Sequence, residues 1–248
     1  MASLNELTIV IPSRDLHGML RACVSAAQCA AVQAGLRDTA EIVIIDNASR
    51  TPYTRDDFPG TRIVRFDQHQ HFATCCNAGW RAGSGRRVLF LNNDVLLSTL
   101  AIEGMIDVLA AHGPGIAGTL LEFPNGNIQH AGVGFPSRTP INMGRDHPSK
   151  ESLGEAIFPP AVTGAALMAD RAVLHHLDGW DERYAFGHED VDLCLRARQA
   201  GYTIVLDRRS RSLHFESMTP GRSQFEEQSR MTFYAHWDGR ISLDGNTR

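Results

Sequence analysis

Between Gly187 and Gln199 the chain reads Gly187-His188-Glu189-Asp190-Val191-Asp192-Leu193-Cys194-Leu195-Arg196-Ala197-Arg198-Gln199, three carboxylates and a histidine set just ahead of apolar side chains at helical spacing. A helix N-terminus carries partial positive charge, so acids gathered there are stabilised electrostatically. Glu189 and Asp190 are adjacent and read either as first-turn acids that stabilise the helix with no further role or as neighbouring carboxyls in a pocket whose pKa values are pushed apart, leaving one able to accept a proton from an attacking hydroxyl. Asp190 is the candidate base and Glu189 its neighbour. Asp192 reads as a helix cap or as the partner of Arg196 one turn on. A second acidic position lies upstream, where the apolar run Arg87-Val88-Leu89-Phe90-Leu91 ends in Asn92-Asn93-Asp94. Open α/β sheets bind ligands at strand C-termini, and Mg²⁺ or Mn²⁺ is commonly held there by one or two carboxylates together with the substrate's phosphates. Alone, Asn92-Asn93-Asp94 is also a good Asx turn; with the Glu189-Asp190 cluster it reads as a metal site holding a phosphate. His214, after the last strand-like run, offers a nitrogen ligand to the same ion.

Asp46 closes the β-branched run Glu41-Ile42-Val43-Ile44-Ile45, a position from which a carboxylate can meet a base or a ribose, or simply cap a turn. No Gly-x-Gly-x-x-Gly follows the first strand and no Gly-Lys-Ser/Thr occurs, which argues against a dinucleotide fingerprint and a P-loop.

The elements that must carry these residues alternate. Leu7 to Ile11, Glu41 to Ile45, Thr61 to Phe66 and Arg87 to Leu91 read as strands, with helices at Leu20 to Gly35, Ala73 to Ala82 and Leu100 to Ala111; this is the spacing of βαβ units. The pattern loosens through Gly115 to Leu121, and the Gly/Pro/Asn-rich stretch from Phe123 to Pro148 reads as loop with short strands. Ala161 to Met168 then reads as a strand, Asp170 to Leu177 as a short helix, Asp190 to Ala200 as a longer one ended by Gly201, and Thr203 to Leu206 as a last strand. The expected fold is an α/β single domain, a Rossmann-like, mostly parallel central sheet flanked by helices. Its nucleotide-binding half would be 1–112, its acceptor-binding and catalytic half 113–218, with a polar C-terminal extension at 219–248 whose end is mobile.

The 248 residues are enough for one sizeable core. A formal net charge of -4 argues against a protein built to grip nucleic acid, and the basic run Arg208-Arg209-Ser210-Arg211 reads as a solvated turn. The 5 cysteines lack paired metal or disulfide spacing and read as reduced, mostly buried thiols. Leu7 to Ile11 is too short to span a bilayer and has no leader features, so the expectation is a cytoplasmic protein, compatible with peripheral attachment at the inner face of a membrane.

An ordered set of segments completes the reading: Thr8-Ile9-Val10-Ile11-Pro12-Ser13, Ile44-Ile45-Asp46-Asn47-Ala48-Ser49, Asn77-Ala78-Gly79, Leu91-Asn92-Asn93-Asp94, Thr163-Gly164-Ala165-Ala166, Gly179-Trp180-Asp181-Glu182, the Glu189-Asp190 segment and His214. Over nearly its whole length the chain resembles the family 2 glycosyltransferases with the type-A glycosyltransferase fold. The resemblance implies that the motif ending at Asp94 is the family's metal-binding Asp-x-Asp with Asn92 in place of the first acid, so that Asp94, with His214, would hold Mn²⁺ or Mg²⁺. It further implies that Pro12, Ser13, Arg14 and Asn77 bind the nucleotide, that Asp46 meets the base and Asn93 the ribose, that Gly164, Trp180 and Asp192 border the donor or acceptor sugar, and that Asp190 is the base. The implied reaction is a single in-line displacement at the anomeric carbon with inversion, from a dTDP- or UDP-sugar to a glycan, lipid-linked or small-molecule acceptor. The wording is most similar to that of bacterial rhamnosyltransferase-like members of surface polysaccharide or glycolipid assembly. A sugar-phosphate nucleotidyltransferase would open with a glycine-rich basic loop where this chain has Pro12-Ser13-Arg14-Asp15. A non-catalytic nucleotide-sugar-binding scaffold on the same fold is the remaining alternative.

Overall fold

The computed structural model describes residues 5–136, 139–149, 154, 156–216 and 225–241. The chain begins β1 (Leu7–Ser13), α1 (His17–Gln33), β2 (Ala40–Asn47), β3 (Thr61–Phe66), α2 (Phe72–Ala82) and β4 (Arg87–Leu91). These four strands are parallel in the order β3-β2-β1-β4. Leu7 to Ile11 is buried at every position, as expected of a strand covered on both faces. Helix α2 sits directly on β1 because residue 79 is glycine: a Cβ there would lie 2.1 Å from Val10 Cγ1.

The second half runs β5 (Val95–Leu96), α3 (Ala101–His112), β6 (Gly115–Glu122), β7 (Ile128–His130), β8 (Val133–Gly134), β9 (Ile141–Asn142), β10 (Ala166–Asp170), α4 (Arg171–Leu177), α5 (Glu189–Gln199), β11 (Thr203–His214) and α6 (Glu226–Trp237). Strand β10 lies between β4 and β6, antiparallel to both, while β6 and β11 are parallel and β5 closes the far edge. Strand β7 pairs with β6, and β8 with β9 forms a separate ribbon. The result is the expected α/β fold with a mostly parallel sheet between helices.

Several boundaries differ from the sequence reading. Gly115 to Leu121 is a full central strand, and its glycines are there for close packing: a Cβ at Gly115 would meet the Thr203 carbonyl at 2.0 Å and one at Gly118 would meet Val162 at 2.8 Å. The strand expected from Ala161 starts at Ala166, leaving Thr163 and Gly164 in a turn. Strand β11 continues to His214 and takes in Arg208 to Arg211, so that run is not a solvated turn. Its register shifts between Asp207 and Arg211; Arg209 then reaches Asp207 at 2.8 Å and Asp107 at 3.0 Å, and Arg211 reaches Glu122 at 3.3 Å.

Helix α6 falls in the segment read as a polar extension. Ser229, Phe233 and Trp237 recur every fourth residue and are buried, and Phe233, Trp237 and Ile241 share one hydrophobic cluster with Phe90, Trp180 and Tyr184. The expected mobile end at 242–248, and 217–224 before the helix, lie outside the described residues. Cys23, Cys75, Cys76 and Cys194 are buried and Cys29 is exposed, all as free thiols. Among the described residues no helix is long and apolar enough to cross a membrane.

Candidate active site

Strand β1 has β2 on one side and β4 on the other, so the chain reverses its direction of travel across the sheet between them. Such switch points leave a crevice beyond the strand C-termini. Here the crevice is a cavity of about 590 Å³ bordered by Pro12 and Ser13 at the end of β1 and Arg14 just after it, Asn92 and Asn93 after β4, and Glu189, Asp190 and His214 from the second half. A second cavity of about 530 Å³ adjoins it, and the two share Asn142, Thr163, Phe186, Gly187, Asp190 and Glu226.

Asp190 is in the first turn of α5, which the chain enters with positive φ at Gly187 (84°) and His188 (71°). Its Oδ2 accepts the Gly164 N–H at 2.8 Å and its Oδ1 accepts the Val191 N–H at 2.8 Å. Each carboxylate oxygen has a further lone pair, so these bonds aim the group without exhausting it. Gly164 permits the approach, since a Cβ there would lie 3.0 Å from Trp180 Cη2 and 3.3 Å from Asp190 Cβ.

Trp180 is 2 % exposed and packs edge-on against Phe72 and Phe90 beneath this turn. Asn77 fixes it by accepting the Trp180 N–H at 3.0 Å and donating to the Trp180 carbonyl at 2.9 Å. Asn77 and Trp180, expected on nucleotide and sugar, thus lie under the cavity and not on its wall. Asp192 does the same for α6. It is buried, pairs with Arg196 at 2.7 Å, and accepts bonds from Tyr184 and from Trp237 Nε1 at 2.9 Å. Burial and the Asp192 charge push the Tyr184 phenol up, keeping it a donor.

On the nucleotide side, Ser13 Oγ accepts from Asn93 Nδ2 at 2.8 Å and lies 2.8 Å from the Tyr53 hydroxyl. Asp46, expected on the base, is fully buried and is turned to its own loop, where the Ser49 and Tyr53 N–H groups donate at 3.0 and 3.3 Å and Arg65 forms an ion pair. Burial opposes its ionisation, yet those bonds together hold the carboxyl below the ordinary range. The wall beside it is built instead by Asn47, which exchanges two bonds with Gln70 at 2.9 and 2.7 Å, and by His69 and His71. No periodicity or motif marks His69 or His71 in the sequence. Burial, then Arg14, lowers the His69 pKa.

Asp94 is fully buried in the turn between β4 and β5, and the pairing of β5 with β11 brings His214 Nε2 to 3.3 Å from Asp94 Oδ1. Glu216 accepts from Gln129 Nε2 at 3.3 Å and from Arg145 at 2.8 Å, which leaves Gln129 Oε1 facing His214 Nδ1 at 3.2 Å. His214 Nδ1 is then the donor, and in the neutral ring Nε2 turns its lone pair toward the carboxylate. Two such atoms are a fitting oxygen and nitrogen pair for Mn²⁺ or Mg²⁺, with phosphate and water supplying the remaining ligands. Among the described residues no group of three or more His, Cys, Asp or Glu is set to hold an ion.

The architecture is the type-A glycosyltransferase fold. The chain superposes on GalNAc-T7, crystallised with UDP, GalNAc and Mn²⁺, with a TM-score of 0.73 and 15% identity, covering 96% of this chain and 49% of that one. The profile described as Glycosyl transferase family 2 matches residues 8–150, more than half of the chain, and the protein belongs to that family. Among its relatives, the O-antigen biosynthesis protein RfbC of Myxococcus xanthus is 26% identical over 244 residues, 93% of this chain and 19% of the relative. The N-acetylglucosaminyl-diphospho-decaprenol L-rhamnosyltransferase of Mycobacterium tuberculosis is 26% identical over 216 residues, 73% of this chain and 68% of the relative. The chain therefore spans about a fifth of the length of the first of these relatives.

Proposed function

We propose that the protein transfers a sugar, with inversion, from a nucleoside diphosphate donor of the dTDP- or UDP-sugar class to an acceptor hydroxyl, in the cytoplasmic assembly of a bacterial surface polysaccharide or related glycoconjugate. The observation that carries this reading is Asp190, aimed by two backbone N–H groups and standing on the wall common to two cavities. One cavity, beside Ser13, Arg14 and Asn93, takes the nucleotide; the other takes the acceptor. Asp190 removes the proton from the acceptor hydroxyl as its oxygen bonds to the anomeric carbon from the face opposite the diphosphate, and the bond to the diphosphate oxygen breaks with its electron pair. Glu189 borders the same cavity. Asp94 and His214 would hold Mn²⁺ or Mg²⁺, whose charge would offset that of the diphosphate. The relatives named for O-antigen biosynthesis and rhamnosyl transfer support the acceptor class, and the neighbour crystallised with UDP supports the donor class.

The test is a panel of dTDP- and UDP-sugars with and without Mn²⁺ or Mg²⁺, scored for release of the nucleoside diphosphate and for the anomeric configuration of the product. One donor should be turned over preferentially with inversion. Tight binding of a nucleotide sugar with no turnover of any would favour a non-catalytic binding protein.

A further inference from the structure

His130 is completely buried at the end of β7, where the pairing with β6 shifts register between Leu121 and Glu122. Bulges of this kind re-aim side chains. The ring is held from both sides: the Thr163 N–H donates to Nε2 at 3.1 Å, and Nδ1 lies 2.9 Å from Asn142 Oδ1. A backbone N–H can only donate, so Nε2 must be unprotonated. The neutral ring then carries its proton on Nδ1 and gives it to Asn142, which fixes the Asn142 amide with its oxygen toward His130 and its N–H₂ group away from it. Burial stabilises the neutral ring, lowering its pKa to about 4, while the Asn142 bond and the Asp190 charge oppose that shift. Both partners of His130, Asn142 and Thr163, belong to the wall shared by the two cavities, and the residue after Thr163 holds Asp190.

We propose that His130 is a positioning residue of the active site: as a neutral Nδ1–H ring it locks the Thr163-Gly164 turn that aims Asp190, and it sets the Asn142 amide so that its N–H₂ group donates to a carbohydrate hydroxyl oxygen at the junction of the cavities. The role assigned to Asn142 rests on the transferase reading above; the state of the ring does not. Long-range ¹H–¹⁵N spectra at pH 7, with the His130 signals identified by their loss in His130→Gln, should show the Nδ1–H tautomer. An Nε2–H or doubly protonated ring overturns the proposal, whatever the protein turns out to catalyse. With the nucleotide sugar that is turned over, His130→Phe removes both bonds and should lower kcat roughly tenfold or more, whereas His130→Gln, which keeps one donor and one acceptor, should restore most of it. Asn142→Asp should raise KM for the acceptor roughly tenfold. Equal kcat in the folded Phe and Gln variants, or an unchanged KM in Asn142→Asp, rejects the positioning role.

Discussion

Asp190 owes its orientation to two backbone donors, one on its own helix and one on a turn that only glycine allows so close. Asp190→Asn nearly preserves its shape and removes the basic lone-pair charge. Transfer should fall by roughly 10²-fold or more with donor affinity retained, measured as kcat beside nucleotide binding by calorimetry. A wild-type rate in the folded variant would move the base elsewhere, with Glu189 next to be tested. His130 predicts a pH dependence of stability. Its folded pKa of about 4 lies below the 6.5 of a free histidine, so the unfolded chain binds the extra proton first. The stabilisation from burying the neutral ring is therefore complete above about pH 6.5 and is lost as pH falls toward 4, by roughly 3 kcal/mol in all. His69 and His188 are shifted the same way, so the His130 share is read as the difference between wild type and His130→Gln in urea titrations across that window. Equal pH profiles for the two proteins would show that the ring is not held neutral. Residue types marked Asp190 and His214 in the sequence, and both border the cavity; Asp94, marked in the same way, is fully buried and borders neither cavity. Residue types could not distinguish residues that border the cavity from those that support it: Asp46, Asn77 and Asp192 stand in the same motifs, yet each is buried and spends its polar atoms on the protein, and Trp180 is buried with its backbone held by Asn77.

At the scale of elements, the first half of the fold is legible because parallel strands buried on both faces read as unbroken apolar runs alternating with helices. The second half is harder for a physical reason. Strand β10 arrives late in the chain and runs against its neighbours, glycines that admit close packing look like breaks, and β11 hides a polar stretch whose charges are paired along the strand. Helix α6 is weakly amphipathic, so its anchoring is visible only once Trp237 is seen beside Asp192. That contact joins α6 to α5, the helix that carries Asp190. Trp237→Ala should cost roughly 3–5 kcal/mol, from lost burial and the bond removed from Asp192, measured by equilibrium denaturation. A loss below about 1 kcal/mol would mean that α6 does not pack as described.

For the whole molecule, the site joins both halves of the fold, since Ser13, Arg14 and Asn93 belong to the first and Asp190 and His214 to the second. A ligand that bridges them stabilises the native state by mass action. Saturating nucleoside diphosphate with Mn²⁺ should raise Tm by roughly 5 °C or more at a hundred times its Kd. Asp94→Ala should keep the increment produced by nucleotide alone and lose the part added by the metal; an undiminished metal increment would take Asp94 out of the metal site.

The placement of β10 also bears on how the chain is made. Strand β4 leaves the ribosome well before Ala166–Asp170, the strand that fills the slot between β4 and β6. During elongation the paired sheet β3-β2-β1-β4 therefore carries a temporary open border at Val88-Leu89-Phe90-Leu91, all of it fully buried once the fold is complete. At about 5–20 residues per second that border stays open for several seconds, and an open apolar strand is a template for pairing with other chains. The nascent protein's need for chaperone protection is concentrated in this interval of translation, and it ends when residue 170 emerges.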